Sequence, residues 1–282
     1  MRIFKLAAEL QNYALEQKRA GRTIGLVPTM GFLHAGHASL IDIARKKADI
    51  VIVSIFVNPT QFGPNEDLDK YPRDFEHDKA LCIEHGADAV FAPEPGAMYA
   101  PDASTWVEET VLSKPLCGAR RPIHFRGVTT VVAKLFNLAQ PDCAVFGRKD
   151  AQQLFVIKRM VRDLNFPIEI IAAPLVRGED GLALSSRNRY LTEDEHRRAL
   201  VLSRALRAAV PALKRAGYTA AADIVAAMKQ EIAAAGGQVD YVEALDADTL
   251  AAPTEATSAI LLAVAVYFGT TRLIDNELVQ VK

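Results

Sequence analysis

The chain has 282 residues, half of them hydrophobic and 24% charged, with a formal net charge of −1, a globular composition that excludes disordered and fibrous classes. The near-neutral balance supplies no chain-wide attraction for nucleic acid. No apolar run is long enough to span a bilayer, and the N-terminus lacks the apolar segment and cleavage site of a secretory signal. The length fits a larger domain followed by a smaller one. Cys82, Cys117 and Cys143 have no metal-ligand or CxxC spacing, which predicts reduced thiols in a cytoplasmic protein.

In chain order, helical periodicity over Leu6 to Ala20 is followed by a buried strand at Thr23 to Val27, a glycine-containing loop from Pro28 to Gly36, and a helix beginning near Ala38. Ile50 to Val57 predicts a second strand, Pro72 to His85 a helix with its proline in the first turn, and Ala87 to Phe91 a third strand. Pro93 to Arg126 is irregular, with one strand expected at Thr105 to Val111 and a basic segment at Arg120 and Arg121. A helix over Gly127 to Gln140, a strand at Cys143 to Phe146, a helix over Asp150 to Leu164 and a strand at Ile168 to Ala172 complete an α/β alternation. Alternation of this kind implies a Rossmann-like, doubly wound parallel sheet, and we place that domain at residues 1–176.

Residues 177–282 read as a second, smaller α+β domain. Thr192 to Glu195 matches a capping box ahead of a helix reaching Ala216. A helix over Ala220 to Ala235 follows, then strands at Val239 to Leu245, Ala259 to Phe268 and Arg272 to Asn276, which suggest an antiparallel sheet. The apolar stretch from Ser258 to Phe268 is too short for a membrane span and reads as a buried strand.

Four segments carry chemistry. His34-Ala35-Gly36-His37 sits where the first strand's loop enters a helix, a place where unpaired N–H groups receive phosphate and two imidazoles can donate to phosphate oxygens. Two loop histidines without a ligand, or a zinc site completed by a distant residue such as His124, remain open on these residues alone. Phe56 to Phe62 brings the carboxamides Asn58 and Gln61 to the same sheet edge, suited to a small ligand bearing hydroxyl and carboxylate groups, or simply to an Asn-Pro turn. Phe146 to Gln153 holds the same position after a later strand, with Lys149 as a point charge for phosphate and Asp150 as a helix cap or ligand contact. Asp180 to Asn188 adds Ser185, Ser186 and Arg187, a phosphate-binding set or a polar turn.

Together, in this order and with His124-Phe125-Arg126-Gly127 between them, these segments resemble the pantothenate synthetase family, the AMP-forming pantoate–β-alanine ligases of the HxGH-bearing nucleotidyltransferase-like superfamily. The resemblance spans nearly the whole chain. It implies a Rossmann-type domain with a carboxy-terminal lid, a homodimer, and condensation of pantoate with β-alanine through pantoyl adenylate, consuming ATP with Mg2+. It further implies that His34, His37 and Lys149 are catalytic, and that Met30, Gly147, Asp150, Ser185, Ser186 and Arg187 join them in binding ATP. Met30, Asn58, Gln61 and Gln153 are implied as the pantoate site. No metal ligand is assigned; Asp78, in the helix after the second strand, is either a candidate or part of a solvated helix face. The chain departs from the family pattern at Ala35, Arg148, Ala151 and Leu184, where Glu, Glu or Gln, an aromatic and Met are common. None of these positions is assigned to chemistry. A nucleotidylyltransferase of the same superfamily, or a nucleotide-binding protein without turnover, is the alternative.

Overall fold

The apolar runs of the first half form strands because β-branched residues in short segments bounded by turns fit a pleated surface buried on both faces. In the computed structural model, which describes residues 1–64 and 66–282, the chain divides into two compact units. The first comprises Met1–Arg148 and Gln152–Pro174, the second Lys149–Ala151 and Leu175–Lys282.

The first unit contains β1 (Arg2–Phe4), α1 (Ala7–Arg19), β2 (Ile24–Thr29), α2 (Ala35–Arg45), β3 (Ile50–Ile55), α3 (Phe75–Glu84) and β4 (Ala89–Phe91). These are followed by α4 (Pro95–Met98), α5 (Cys117–Arg120), α6 (His124–Ala139), β5 (Cys143–Gly147), α7 (Ala151–Asp163, whose first residue groups with the second unit) and β6 (Glu169–Ala173). The strand order is β1-β4-β3-β2-β5-β6, and every pairing is parallel. From β2 the chain winds outward through β3 and β4, then returns to lay β5 against the other side of β2. The order therefore reverses between β2 and β5, and in open α/β sheets ligands bind beyond the carboxyl ends of strands at such a reversal. One side of the sheet is filled by Val27, Val51, Val53, Val90 and Val145 packed with Ile41 of α2 and Cys82 of α3.

The second unit contains α8 (Glu193–Ala199), α9 (Val201–Ala216), α10 (Ala221–Ala234) and the antiparallel sheet β7 (Gln238–Asp246), β8 (Ala259–Phe268) and β9 (Thr271–Gln280), with β8 central. Leu202, Leu206 and Leu213 of α9 and Met228 and Ile232 of α10 pack on Ile260, Leu262, Val264, Val266 and Phe268. The apolar run expected as a buried strand is this central one.

Three sequence expectations need correction, and one strand was missed. No strand forms at Thr105 to Val111, because Val107 donates its N–H to Thr130 Oγ1 and accepts from Thr129 Oγ1, so α6 hydroxyls replace a strand partner. The Pro72 helix starts at Phe75, where the Asp74 side chain caps it by accepting from His77 N. The long helix after Thr192 breaks at Leu200 into α8 and α9. β1, an edge strand of three residues, is too short to produce a readable alternation.

Candidate active site

After β2 the chain turns through Met30 to Leu33 before α2 can begin. Gly31 (φ 85°) and Phe32 (φ 52°) both occupy the left-handed region, routine for glycine and uncommon for other residues. A Cβ at position 31 would stand 3.0 Å from both Asp78 Oδ2 and Ile55 Cγ2, so the loop requires glycine there on two grounds. Asp78 holds the turn. Only 1% exposed, its carboxylate accepts the N–H of Phe32 at 2.8 Å and of Leu33 at 2.6 Å. Burial pushes this carboxyl above the usual range, against the pull of the two N–H groups. His77 Nε2 lies 3.1 Å from the Leu33 carbonyl oxygen. Asp78 is thus not on a solvated helix face, and both its oxygens are engaged by backbone. Among the described residues no group of three or more His, Cys, Asp or Glu is placed to hold a metal ion, which leaves the zinc alternative at His124 without support.

The loop delivers His34 to the N-cap of α2. His34 Nδ1 accepts from Gly36 N at 3.1 Å, and His37 Nδ1 accepts from His34 N at 3.3 Å. The two histidines therefore form a reciprocal cap of the kind serine and glutamate usually make. Their rings are 4.1 Å apart and inclined by 42°. An Nδ1 that accepts carries no proton, so each neutral ring bears its hydrogen on Nε2. The HxGH spacing accordingly does two things: it caps a helix whose N-terminus favours anions, and it fixes both imidazoles as Nε2–H donors.

A second set lies beyond β3. Asn58 is 1% and Gln61 7% exposed. Asn58 Oδ1 accepts from Thr60 N, Thr60 Oγ1 and Tyr99 Oη, while its Nδ2 donates to Gln61 Oε1 and to the Gly127 carbonyl, both at 3.2 Å. Gln61 Nε2 points to Met30 Sδ at 3.2 Å. The Gln61 carbonyl accepts from Arg121 Nη2 at 3.2 Å and lies 3.0 Å from His124 Nδ1. Arg121 also donates through Nε to Glu66 Oε1 at 2.8 Å and pairs with Oε2 through its other arm. Burial alone would raise the Glu66 carboxyl, but the guanidinium brings it below the usual range; the same pairing outweighs burial and raises Arg121. Met30, Asn58 and Gln61 are thus one bonded group, continuous through the loop with His34 and His37.

The remaining expected residues lie on later segments of the chain. Gly147 ends β5 with open space where a Cβ would stand. Gln153 is half-buried in the first turn of α7. Its neighbour Gln152, which sequence reading passed over, is 6% exposed and clamps the preceding loop, donating to the Leu112 and Pro115 carbonyls and accepting from Cys117 N. Lys149 and Asp150 group with the second unit, where Lys149 Nζ lies 3.9 Å from Asp150 Oδ2 and Asn276 Nδ2 donates to the Lys149 carbonyl. Ser185 caps the short turn Ser186–Tyr190, accepting from Arg187 N at 3.2 Å.

A model of the family described as pantoate-beta-alanine ligase matches residues 2–278. The chain belongs to the pantoate–β-alanine ligase family. The pantothenate synthetase of Moorella thermoacetica is 55% identical over 282 residues, covering all of this chain and 99% of that one. The Clostridium acetobutylicum pantothenate synthetase is 52% identical over 98% of each. Among solved structures, pantothenate synthetase from Thermus thermophilus superposes with a TM-score of 0.89 at 44% identity, covering 98% of this chain and 99% of that one. The Francisella tularensis ligase, described as complexed with beta-gamma ATP and beta-alanine, gives 0.81 at 33% identity over 99% and 97%. This ligase is an enzyme that joins pantoate to β-alanine at the expense of ATP, forming pantothenate with release of AMP and pyrophosphate.

Proposed function

We propose that His34, His37 and Lys149 catalyse formation of pantoyl adenylate. A carboxylate oxygen of pantoate attacks the α-phosphorus of ATP, the bond to the bridging oxygen breaks, and the departing pyrophosphate takes the electron pair. The amine of β-alanine then attacks the acyl carbon, and AMP leaves as the amine loses a proton. The nucleophile of the first step is the substrate's own carboxylate, so the protein's task is positioning and stabilisation of charge. The observation that carries this reading is the reciprocal histidine cap, which presents two neutral Nε2–H donors beside a helix N-terminus.

In this reading Met30, Gly147, Asp150, Ser185, Ser186 and Arg187 bind ATP together with the catalytic three, the hydroxyls and guanidinium serving the phosphates. Gln61 and Gln153 bind pantoate with Met30 and Asn58. Carboxamides recognise its hydroxyls and carboxylate without setting a competing charge beside the nucleophile. Residues 1–176 form the ATP- and pantoate-binding domain and residues 177–282 the smaller lid domain. Magnesium enters as the counter-ion of the substrate, Mg–ATP, since Mg2+ keeps most of its waters and uses substrate phosphates in preference to protein cages.

The functional unit is a homodimer in the cytoplasm. Supporting the first are Trp106 and Val111 of the segment Thr105 to Val111, two large apolar side chains left 43% and 60% exposed that a second copy could cover. Supporting the second are three thiols outside any disulfide, and no helix among the described residues is long and apolar enough to cross a membrane. Removing one phosphate donor by His37→Ala or Lys149→Ala should cost about 10²–10³ in adenylation rate, with pantoate affinity retained. A variant that forms adenylate at the wild-type rate would leave the catalytic set.

A further inference from the structure

A carboxamide presents either its oxygen or its NH2 group to a ligand, and the hydrogen-bond network around it decides which. Here the choice at Gln61 is made two side chains away. Asn58 Oδ1 accepts three donors: the Thr60 N–H at 3.3 Å, the Thr60 hydroxyl at 2.9 Å and the Tyr99 hydroxyl at 2.9 Å. With the oxygen committed to that side, Nδ2 faces two acceptors, Gln61 Oε1 and the Gly127 carbonyl oxygen. Turning the Asn58 amide over would set NH2 against the Thr60 N–H and oxygen against the Gly127 carbonyl, the two partners whose roles cannot reverse, and the two hydroxyls reinforce the orientation those partners require. Gln61 is fixed in turn: its oxygen is taken by Asn58, so its Nε2 is the group on the far side, at Met30 Sδ. Thioether sulfur is a weak acceptor, one that a carboxylate or hydroxyl oxygen of a ligand readily outcompetes.

Tyr99 is held for this purpose from outside the catalytic segments. It follows α4, its ring lies 6.5 Å from that of Phe56 and carries Lys134 Nζ 5.5 Å above it. Burial raises its hydroxyl above the ordinary tyrosine range, which favours the protonated, hydrogen-donating form. We propose that Tyr99 is a positioning residue for pantoate, fixing through Asn58 the orientation in which Gln61 offers N–H donors to the substrate's oxygens. The inference rests on the assignment of Gln61 to pantoate.

A double-mutant cycle on the intact enzyme tests both layers separately. Gln61→Ala should raise KM for pantoate at least tenfold with KM for ATP unchanged; if it does not, the assignment of Gln61 itself fails. Tyr99→Phe, which removes one oxygen and keeps the ring's packing, should raise KM for pantoate about three- to tenfold, the effect of one hydrogen bond, with kcat and KM for ATP within twofold. In the Gln61→Ala background, Tyr99→Phe should change KM for pantoate by less than twofold, because the residue it orients is gone. Equal effects of Tyr99→Phe in both backgrounds, an unchanged KM for pantoate in the single variant, or a parallel rise in both KM values would overturn the proposal. Thermal unfolding of Tyr99→Phe guards against a general loss of fold, which would lower the active fraction and leave both KM values where they were.

Discussion

Replacing Gly127 by alanine probes how closely α6 must approach the turn that carries Asn58 and Gln61. A Cβ at position 127 would stand 2.5 Å from Thr60 O, 2.6 Å from Thr60 C and 2.7 Å from Gln61 Cα. All three are backbone atoms that no rotamer change can move aside, so helix and turn must separate by on the order of 1 Å to restore ordinary contact. Overpacking of this kind costs about 1–3 kcal/mol. Separation also stretches the bond from Asn58 Nδ2 to the Gly127 carbonyl, worth about 1 kcal/mol. Alanine's better helix propensity returns about 1 kcal/mol. The net expectation is a loss of about 1–3 kcal/mol in urea unfolding followed by circular dichroism. A 1 Å displacement of substrate-positioning groups also predicts about a ten- to hundredfold fall in kcat/KM for pantoate, with KM for ATP little changed. Wild-type stability together with wild-type kcat/KM for pantoate would refute the reasoning.

Two further outcomes follow from the clamps around the site. Asp78→Asn keeps one acceptor for the Phe32 and Leu33 amides but turns an NH2 toward the other, forfeiting a charge-assisted bond of about 1.5–3 kcal/mol. Adenylation should slow about tenfold or more while the Mg2+ concentration for half-maximal activity stays put, whereas rescue by added Mg2+ would make Asp78 a metal ligand. Glu66→Gln removes the charge paired with Arg121. Because the folded-state value of Glu66 is depressed, its stabilisation is present above the unfolded glutamate pKa and lost as pH falls through the folded one. The variant should therefore be about 1–2 kcal/mol less stable at neutral pH, the gap closing in acid, and a pH-independent difference would contradict the assignment.

Regular elements were legible in the sequence where periodicity ran long enough. β2, β3, the central β8 and the helices over residues 7–19 and 221–234 fall within a few residues of expectation, since each repeats its apolar pattern over at least one full period. The three-residue β1 had no such pattern. At Thr105 to Val111 the residue types favoured a strand, but the partner chosen was a pair of threonine hydroxyls on α6, a long-range choice that local propensity does not encode. The capping box at Thr192 and Glu195 formed as read. The site was legible only in part: His34, His37, Asn58 and Gln61 stand out as residue types next to strand ends. Asp78 acts through two long-range bonds to the loop and Tyr99 through one to Asn58, and no sequence spacing announces them. Asp78 in particular lies one turn into α3 among the acidic residues usual at a helix start, a pattern that fits a solvated face as well as a metal ligand and does not encode a clamp on a distant loop.

The central claim is that this ligase activates pantoate as an adenylate before the amine arrives. Pantoate-dependent exchange of labelled pyrophosphate into ATP, run without β-alanine, tests it directly. The account predicts exchange that requires pantoate and falls about 10²–10³-fold in His37→Ala; absence of exchange from the wild-type enzyme at saturating pantoate and Mg–ATP would contradict it.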